Sequence, residues 1–189
     1  MTIDYSPGVI MLTIENTILI VTDIQGKLAS LMHEREKLYK NLGIMIEGIK
    51  ALNIPILWIE QYPKGLGPTV PEVASHLNGL TPYAKTTFSS LKDPNITEQF
   101  EKHNRSHAIL IGIETHICIY QTTMDLMARG VATHVVADAV SSRTPENKHI
   151  ALERISNEGG HITSVEMALF ELLVLAEGEA FKKIVRLVK

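Results

Sequence analysis

Five short runs rich in β-branched and apolar residues recur along this chain, separated by segments with helical spacing. The runs are NTILIVTD (16–23), IPILWIE (54–60), HAILIG (107–112), THVVADAV (133–140) and HITS (161–164). Runs this short and this uniformly apolar read as strands buried on both faces. The segment 34–52 places Leu38, Leu42, Met45, Ile46 and Ile49 at helical spacing. NITEQFEKHN (95–104) reads as a helix capped by Asp93 or Asn95, and 116–129 as one that stops at Gly130. In 145–159, Pro145 stands near the first position of a helix and Gly159 at its stop. A short further strand falls near 82–86, and two helices close the chain.

Strands that alternate with helices pack as a parallel sheet with helices on both faces. Right-handed crossovers then leave a doubly wound arrangement. The expected fold is a Rossmann-like, three-layer α/β sandwich with a mainly parallel sheet of five or six strands, in one domain over 1–189. No internal repeat or low-complexity tract divides it.

Composition narrows the function. The chain has 18 Lys and Arg against 21 Asp and Glu, a net charge of −3. There is no basic excess for a nucleic acid or an anionic membrane. The first residues, MTIDYSPGVIMLTIEN, carry neither a basic n-region nor a long apolar stretch, so no signal peptide is expected. No apolar run approaches the roughly 20 residues of a membrane helix. The single cysteine, Cys118, forms no internal disulfide and fits a reducing compartment, so the expected location is cytoplasmic. No strand–Gly-x-Gly-x-x-Gly–helix and no Walker A sequence occurs, so no nucleotide cofactor is indicated. Gly65-Leu66-Gly67 lacks that context.

In doubly wound sheets the site lies beyond the C-terminal ends of the strands. The residues there are Asp23, Glu60, Lys85, the run Gly112-Ile113-Glu114-Thr115-His116-Ile117-Cys118, and Ser141, Ser142 and Arg143 after Asp138. An acid, an ammonium and a thiol thus meet at one edge, which is the composition of an activated nucleophile. A helix N-terminus and Lys85 beside the thiol predict a depressed pKa, in the range of roughly 3.5–7.5. Asp23 is placed to take the thiol proton and return it to a leaving group. Each residue has a plainer alternative: Cys118 as an inert core thiol, Asp23 as a helix cap, Lys85 as a solvated lysine.

VTDIQGKL, YAKTTFS, GIETHICIYQTTMDL, VADAVSSR and ITSVEMALFELL together resemble the isochorismatase-like hydrolase family, the cysteine hydrolases that include nicotinamidase and related amidases. These pieces span about 15 to 187, and the EQYPKGLG loop further resembles one subgroup of that family. The resemblance implies an Asp23–Lys85–Cys118 triad and a cis peptide between Ile113 and Glu114. It implies an oxyanion hole from the backbone N–H groups of Glu114 and Cys118, and a homo-oligomer, dimer or higher. Gln25, Tyr62, Phe88 and His116 are the expected pocket residues around a small-molecule substrate. Nicotinamidases carry an Asp-x-His metal motif after the second strand. Here Glu60-Gln61-Tyr62-Pro63 stands in its place, and the eight histidines are scattered, so no metal is expected. A thiol at the nucleophile position favours acyl chemistry at a C–N bond, in particular of a small amide. The alternatives are isochorismatase-type hydrolysis of another bond, or a non-catalytic binding protein on the same fold.

Overall fold

The computed structural model describes residues 11–189. The first half runs β1 (Thr17–Thr22), α1 (Gly26–Ser30), α2 (Arg35–Ala51), β2 (Ile56–Gln61), α3 (Pro63–Leu66), α4 (Pro71–Ala74) and β3 (Tyr83–Lys85). The second runs α5 (Pro94–Lys102), β4 (His107–Ile113), α6 (Tyr120–Ala128), β5 (Ala132–Ser141), α7 (Pro145–Asn157), β6 (His161–Thr163), α8 (Val165–Leu173) and α9 (Gly178–Val188).

The six strands form one sheet in the order β3-β2-β1-β4-β5-β6, with every pairing parallel. This is the doubly wound order, and its reversal falls between β1 and β4. Side chains alternate between faces along each strand. Leu19, Val21, Ile109 and Ile111 pack on one face with Leu42, Ile46 and Ile49 of α2, Leu169 of α8 and Ile184 of α9. Ile18, Ile20, Ala108 and Leu110 pack on the other with Phe100 of α5, Leu126 of α6 and Ile155 of α7. The central strands are therefore buried on both sides, which is why they read as continuous apolar runs.

The helix signals behave as their chemistry requires. Asp93 caps α5, its carboxylate accepting from the N–H groups of Asn95 and Ile96, with Pro94 at the first turn. Thr144 caps α7 ahead of Pro145, and Gly159 follows the helix with φ of 95°. Two regions differ from expectation. The stretches 24–33 and 61–92, expected as loops, contain the short helices α1, α3 and α4, too brief for a periodic signal. The expected helix from 116 begins instead as one wide π-type turn, Thr115–Ile119, before α6.

The C-terminal apolar residues divide. Val165, Ala168, Leu169 and Leu172 are buried, whereas Met167, Phe170, Val174 and Leu175 are exposed. No helix among the described residues is long and apolar enough to cross a membrane.

Candidate active site

The chain crosses the switch point at Asp23. This residue follows β1 with φ of 59°, a left-handed conformation that aspartate tolerates better than most. Its N–H donates to the Ile59 carbonyl at 3.0 Å, and its own carbonyl accepts from the Gln25 N–H at 2.8 Å. The turn aims the carboxylate along the sheet edge, where Lys85, the last residue of β3, reaches it. Lys85 Nζ lies 2.8 Å from Asp23 Oδ2, and both side chains are buried.

Lys85 has three N–H donors and all three are engaged. They go to Asp23, to the Gln61 side-chain carbonyl, and to the Thr87 carbonyl at 3.1 Å. Gln61 is a site residue that the sequence did not mark. It pairs in register with Lys85 across β2 and β3, a neighbour relation that exists only once the strands are ordered.

Cys118 sits in the π-type turn with 7% of its surface exposed. The Asp23 carboxyl is close enough to influence it directly. Here the structure corrects the expected electrostatics. The thiol pKa is not depressed but pushed up to about 12. Burial is the main cause, followed by the Asp23 negative charge; Lys85 opposes them, and Glu114 adds to the rise. Lys85, whose three N–H donors all go to oxygen, favours the thiolate through its charge alone and is outweighed by burial and Asp23. Asp23 is itself raised above the usual carboxylate range, by burial against the opposing pull of Lys85. The resting site therefore holds a neutral thiol beside a carboxylate of increased proton affinity. Asp23 Oδ1 is buried without a hydrogen-bond partner of ordinary geometry among the described residues, as are the hydroxyls of Thr22, which precedes Asp23, and Thr115, three residues before Cys118. Buried polar atoms left open in this way are the exception in folded proteins.

The other wall comes from β4. Gly112 has φ of 120°, and a Cβ built there would overlap the Thr22 carbonyl of the neighbouring strand, so only glycine fits. Its pairing with β5 shifts register here, from Leu110↔Val135 to Gly112↔Val140. The Ile113–Glu114 peptide bond is cis. The Glu114 carbonyl accepts from Ile117 N–H at 3.1 Å, which starts the turn that carries Cys118. The buried Glu114 carboxylate accepts from Arg143, through the backbone N–H at 3.2 Å and Nε at 3.0 Å.

Of the four expected pocket residues, Gln25 is fully buried and holds a loop. Its Nε2 donates to the carbonyls of Gln61 (3.0 Å) and Gly67 (2.7 Å), and its Oε1 accepts from Gln61 N–H (2.6 Å). Its amide is thus committed to the backbone of the 61–67 segment. His116 is half-buried, its Nδ1 2.9 Å from Ser142 Oγ. Tyr62 and Phe88 are 52% and 56% exposed, following β2 and β3 on the same edge. Glu60, at the position of the nicotinamidase metal motif, is buried and accepts from the Thr69 N–H (2.6 Å) and hydroxyl (2.8 Å). Its carboxylate braces a loop. Among the described residues no three His, Cys, Asp or Glu side chains converge as a metal site.

The chain is similar to known proteins over most of its length. The profile of the Isochorismatase domain matches residues 17–167. The secreted isochorismatase effector Isc1 of Phytophthora sojae is 37% identical over 180 residues, 92% of this chain and 85% of that protein. A solved structure described as the MAR1 ribonuclease of Caenorhabditis elegans superposes with a TM-score of 0.88 at 36% identity, covering 95% of this chain and 92% of that one. The Escherichia coli YcaC product, described as an octameric hydrolase of unknown specificity, shares the fold with a TM-score of 0.90 at 19% identity, covering 96% and 92%.

Proposed function

The chain belongs to the isochorismatase family, and on that premise we propose that it is a cysteine hydrolase that cleaves a small amide or related C–N bond through a thioester on Cys118. The observation that carries this reading is the buried Asp23–Lys85 pair set against the Cys118 thiol at the sheet switch point. A thiol whose proton is held until a carboxylate removes it needs no standing thiolate.

In the proposed reaction, Cys118 sulfur attacks the substrate carbonyl carbon as its proton passes to Asp23. The carbonyl oxygen takes the developing negative charge and is met by the N–H groups of Glu114 and Cys118. Asp23 then gives the proton to the leaving nitrogen as the C–N bond breaks, and the thioester remains. Water attacks the thioester, Asp23 accepts the water proton, and the acid leaves as the thiol reforms. Lys85 holds Asp23 in place and offsets its charge throughout. No cofactor or metal enters any step.

The ribonuclease description of the Caenorhabditis elegans protein is a second reading to weigh. RNA binding draws on phosphate contacts from Lys and Arg, and this chain has a net charge of −3. The thiol–carboxylate pair suits a carbonyl carbon, so the amide reading is favoured. A reducing, cytoplasmic setting suits a reaction that depends on one free thiol. The exposed Met167, Phe170, Val174 and Leu175 support a homo-oligomer, dimer or higher, with one domain per chain.

The test is a panel of small amides followed by ammonia release and by intact mass under single turnover. Turnover with an acyl mass on the wild-type chain, lost in Cys118→Ala, is the expected result. Turnover that survives Cys118→Ala rejects the covalent mechanism.

A further inference from the structure

An ammonium beside a carboxylate can engage one oxygen or both. Lys85 engages one. Its donors go to Asp23 Oδ2 at 2.8 Å, to Gln61 Oε1 and to the Thr87 carbonyl at 3.1 Å. The Thr87 acceptor is backbone, two residues further along the chain, and any side chain at 87 would supply it. Gln61 supplies its acceptor from a side chain that is itself held. An ammonium only donates and a carbonyl only accepts, so the orientation of the amide is fixed. Oε1 faces Lys85, and Nε2 donates to the Thr86 carbonyl at 2.9 Å. The backbone of Gln61 is pinned on both sides by Gln25, whose Oε1 accepts from its N–H at 2.6 Å and whose Nε2 donates to its carbonyl at 3.0 Å.

The consequence falls on Asp23. Its Oδ1 is buried and, among the described residues, has no hydrogen-bond partner of ordinary geometry. Besides Lys85, the side-chain donor that acts on this carboxylate is the Cys118 thiol. A buried N–H left without an acceptor is costly, so an ammonium with a spare donor would close onto the second carboxylate oxygen. Gln61 occupies that donor. A neutral acceptor suits the position, because a carboxylate there would compete with Asp23 for the lysine charge.

Building on the cysteine-hydrolase reading, we propose that Gln61 is a positioning residue: by holding one Lys85 donor it keeps the ammonium on Asp23 Oδ2 and leaves Oδ1 open for the Cys118 proton. Gln61 acts through Lys85 and takes no part in proton transfer itself.

The chain has one cysteine, so the S–H stretching band in its Raman spectrum belongs to one thiol. In the wild-type chain a hydrogen bond to Asp23 Oδ1 should place that band below the frequency of a simple thiol in water. Gln61→Met keeps the length of the side chain and removes the acceptor. Lys85 should then close onto Oδ1, and the band should rise to the simple-thiol frequency. Alkylation by iodoacetamide at about pH 8.5 should quicken about threefold or more, as the thiol loses a bond that holds its proton. Gln61→Glu restores an acceptor for Lys85, so its band should stay at the wild-type position and its alkylation should not quicken. Where an amide is turned over, Gln61→Met should lower kcat about tenfold or more with KM unchanged. A wild-type band at the simple-thiol frequency overturns the proposal, as does an unchanged band in folded Gln61→Met. Faster alkylation in both variants would mark a purely structural role and also overturns it. If Gln61→Met fails to fold, a raised band in Gln61→Glu does the same. The band needs no turnover, so its outcome is separate from the Cys118→Ala test of the hydrolase reading.

Discussion

Lys85 Nζ lies 2.8 Å from Asp23 Oδ2 in a pair shielded from water, formed by residues 62 positions apart in sequence. The pair joins the ends of β1 and β3, two strands that are not neighbours, across the end of β2. Removing one partner of a buried pair leaves the other charged and unsolvated.

Lys85→Met should therefore destabilise the chain by about 3–5 kcal/mol at pH 7, seen as a lower urea midpoint. The orphaned Asp23 would have its folded-state pKa raised further above the unfolded value. Its cost is then present above that raised pKa and disappears as pH falls toward the unfolded value near 4. The gap between variant and wild type should narrow from pH 7 to pH 4.5. A gap that stays constant would show that Asp23 does not carry the penalty.

Alkylation of Cys118 by iodoacetamide should be slow at neutral pH and climb with a midpoint near 12. Asp23→Asn removes the neighbouring negative charge and leaves Lys85 charge uncompensated near the sulfur, so the midpoint should move down. A wild-type midpoint below the free-thiol value of about 8.5 would contradict this electrostatic picture.

Gly112→Ala should cost about 1–3 kcal/mol, because the new methyl group meets the Thr22 backbone and the residue keeps a positive φ. Thermal unfolding by circular dichroism measures it. Gly130→Ala is the control: its φ is also positive, but nothing lies within 4 Å of the added Cβ. The difference between the two variants isolates the close approach of β4 to β1.

His134 is stacked between His107 and His161 on three adjacent strands, with ring centroids 5.6 and 4.9 Å away. Burial, with smaller contributions from the other two imidazoles, pushes its pKa down to about 3. The unfolded chain binds a proton near pH 6.5 that the folded chain refuses until about pH 3. Stability from this site is therefore complete above about 6.5 and falls as pH drops through that window, by up to about 1.4 kcal/mol per pH unit. His134→Leu should flatten that acid limb. An unchanged acid limb would assign it to carboxylates instead.

The strands were legible because each central one is buried on both faces and leaves a continuous apolar run. Observed bounds differ from the expected ones by a residue or two: 16–23 became Thr17–Thr22, and 54–60 became Ile56–Gln61. The doubly wound architecture followed from alternation and crossover handedness, whereas the strand order came from the structure. The helices α1, α3 and α4 escaped because four or five residues cannot display a 3.6-residue period. Gln25 and Glu60 were legible as strand-end polar residues, but their occupation by loop backbone was not, since those bonds join segments with no pattern of their own.

What the sequence determined by itself was local and periodic: which runs are buried strands, where α5 and α7 begin, and which residue types stand at the strand ends. What the tertiary structure alone decided was who neutralises whom. Lys85 could have served the thiol or the carboxylate, and three short hydrogen-bonding acceptors, none of them sulfur, settled that. The thiol pKa went up instead of down mainly because Cys118 is buried, with the Asp23 charge adding to the rise. Electrostatic effects depend on distance and burial at the scale of single ångströms, and a linear sequence holds neither until the strands have found their neighbours.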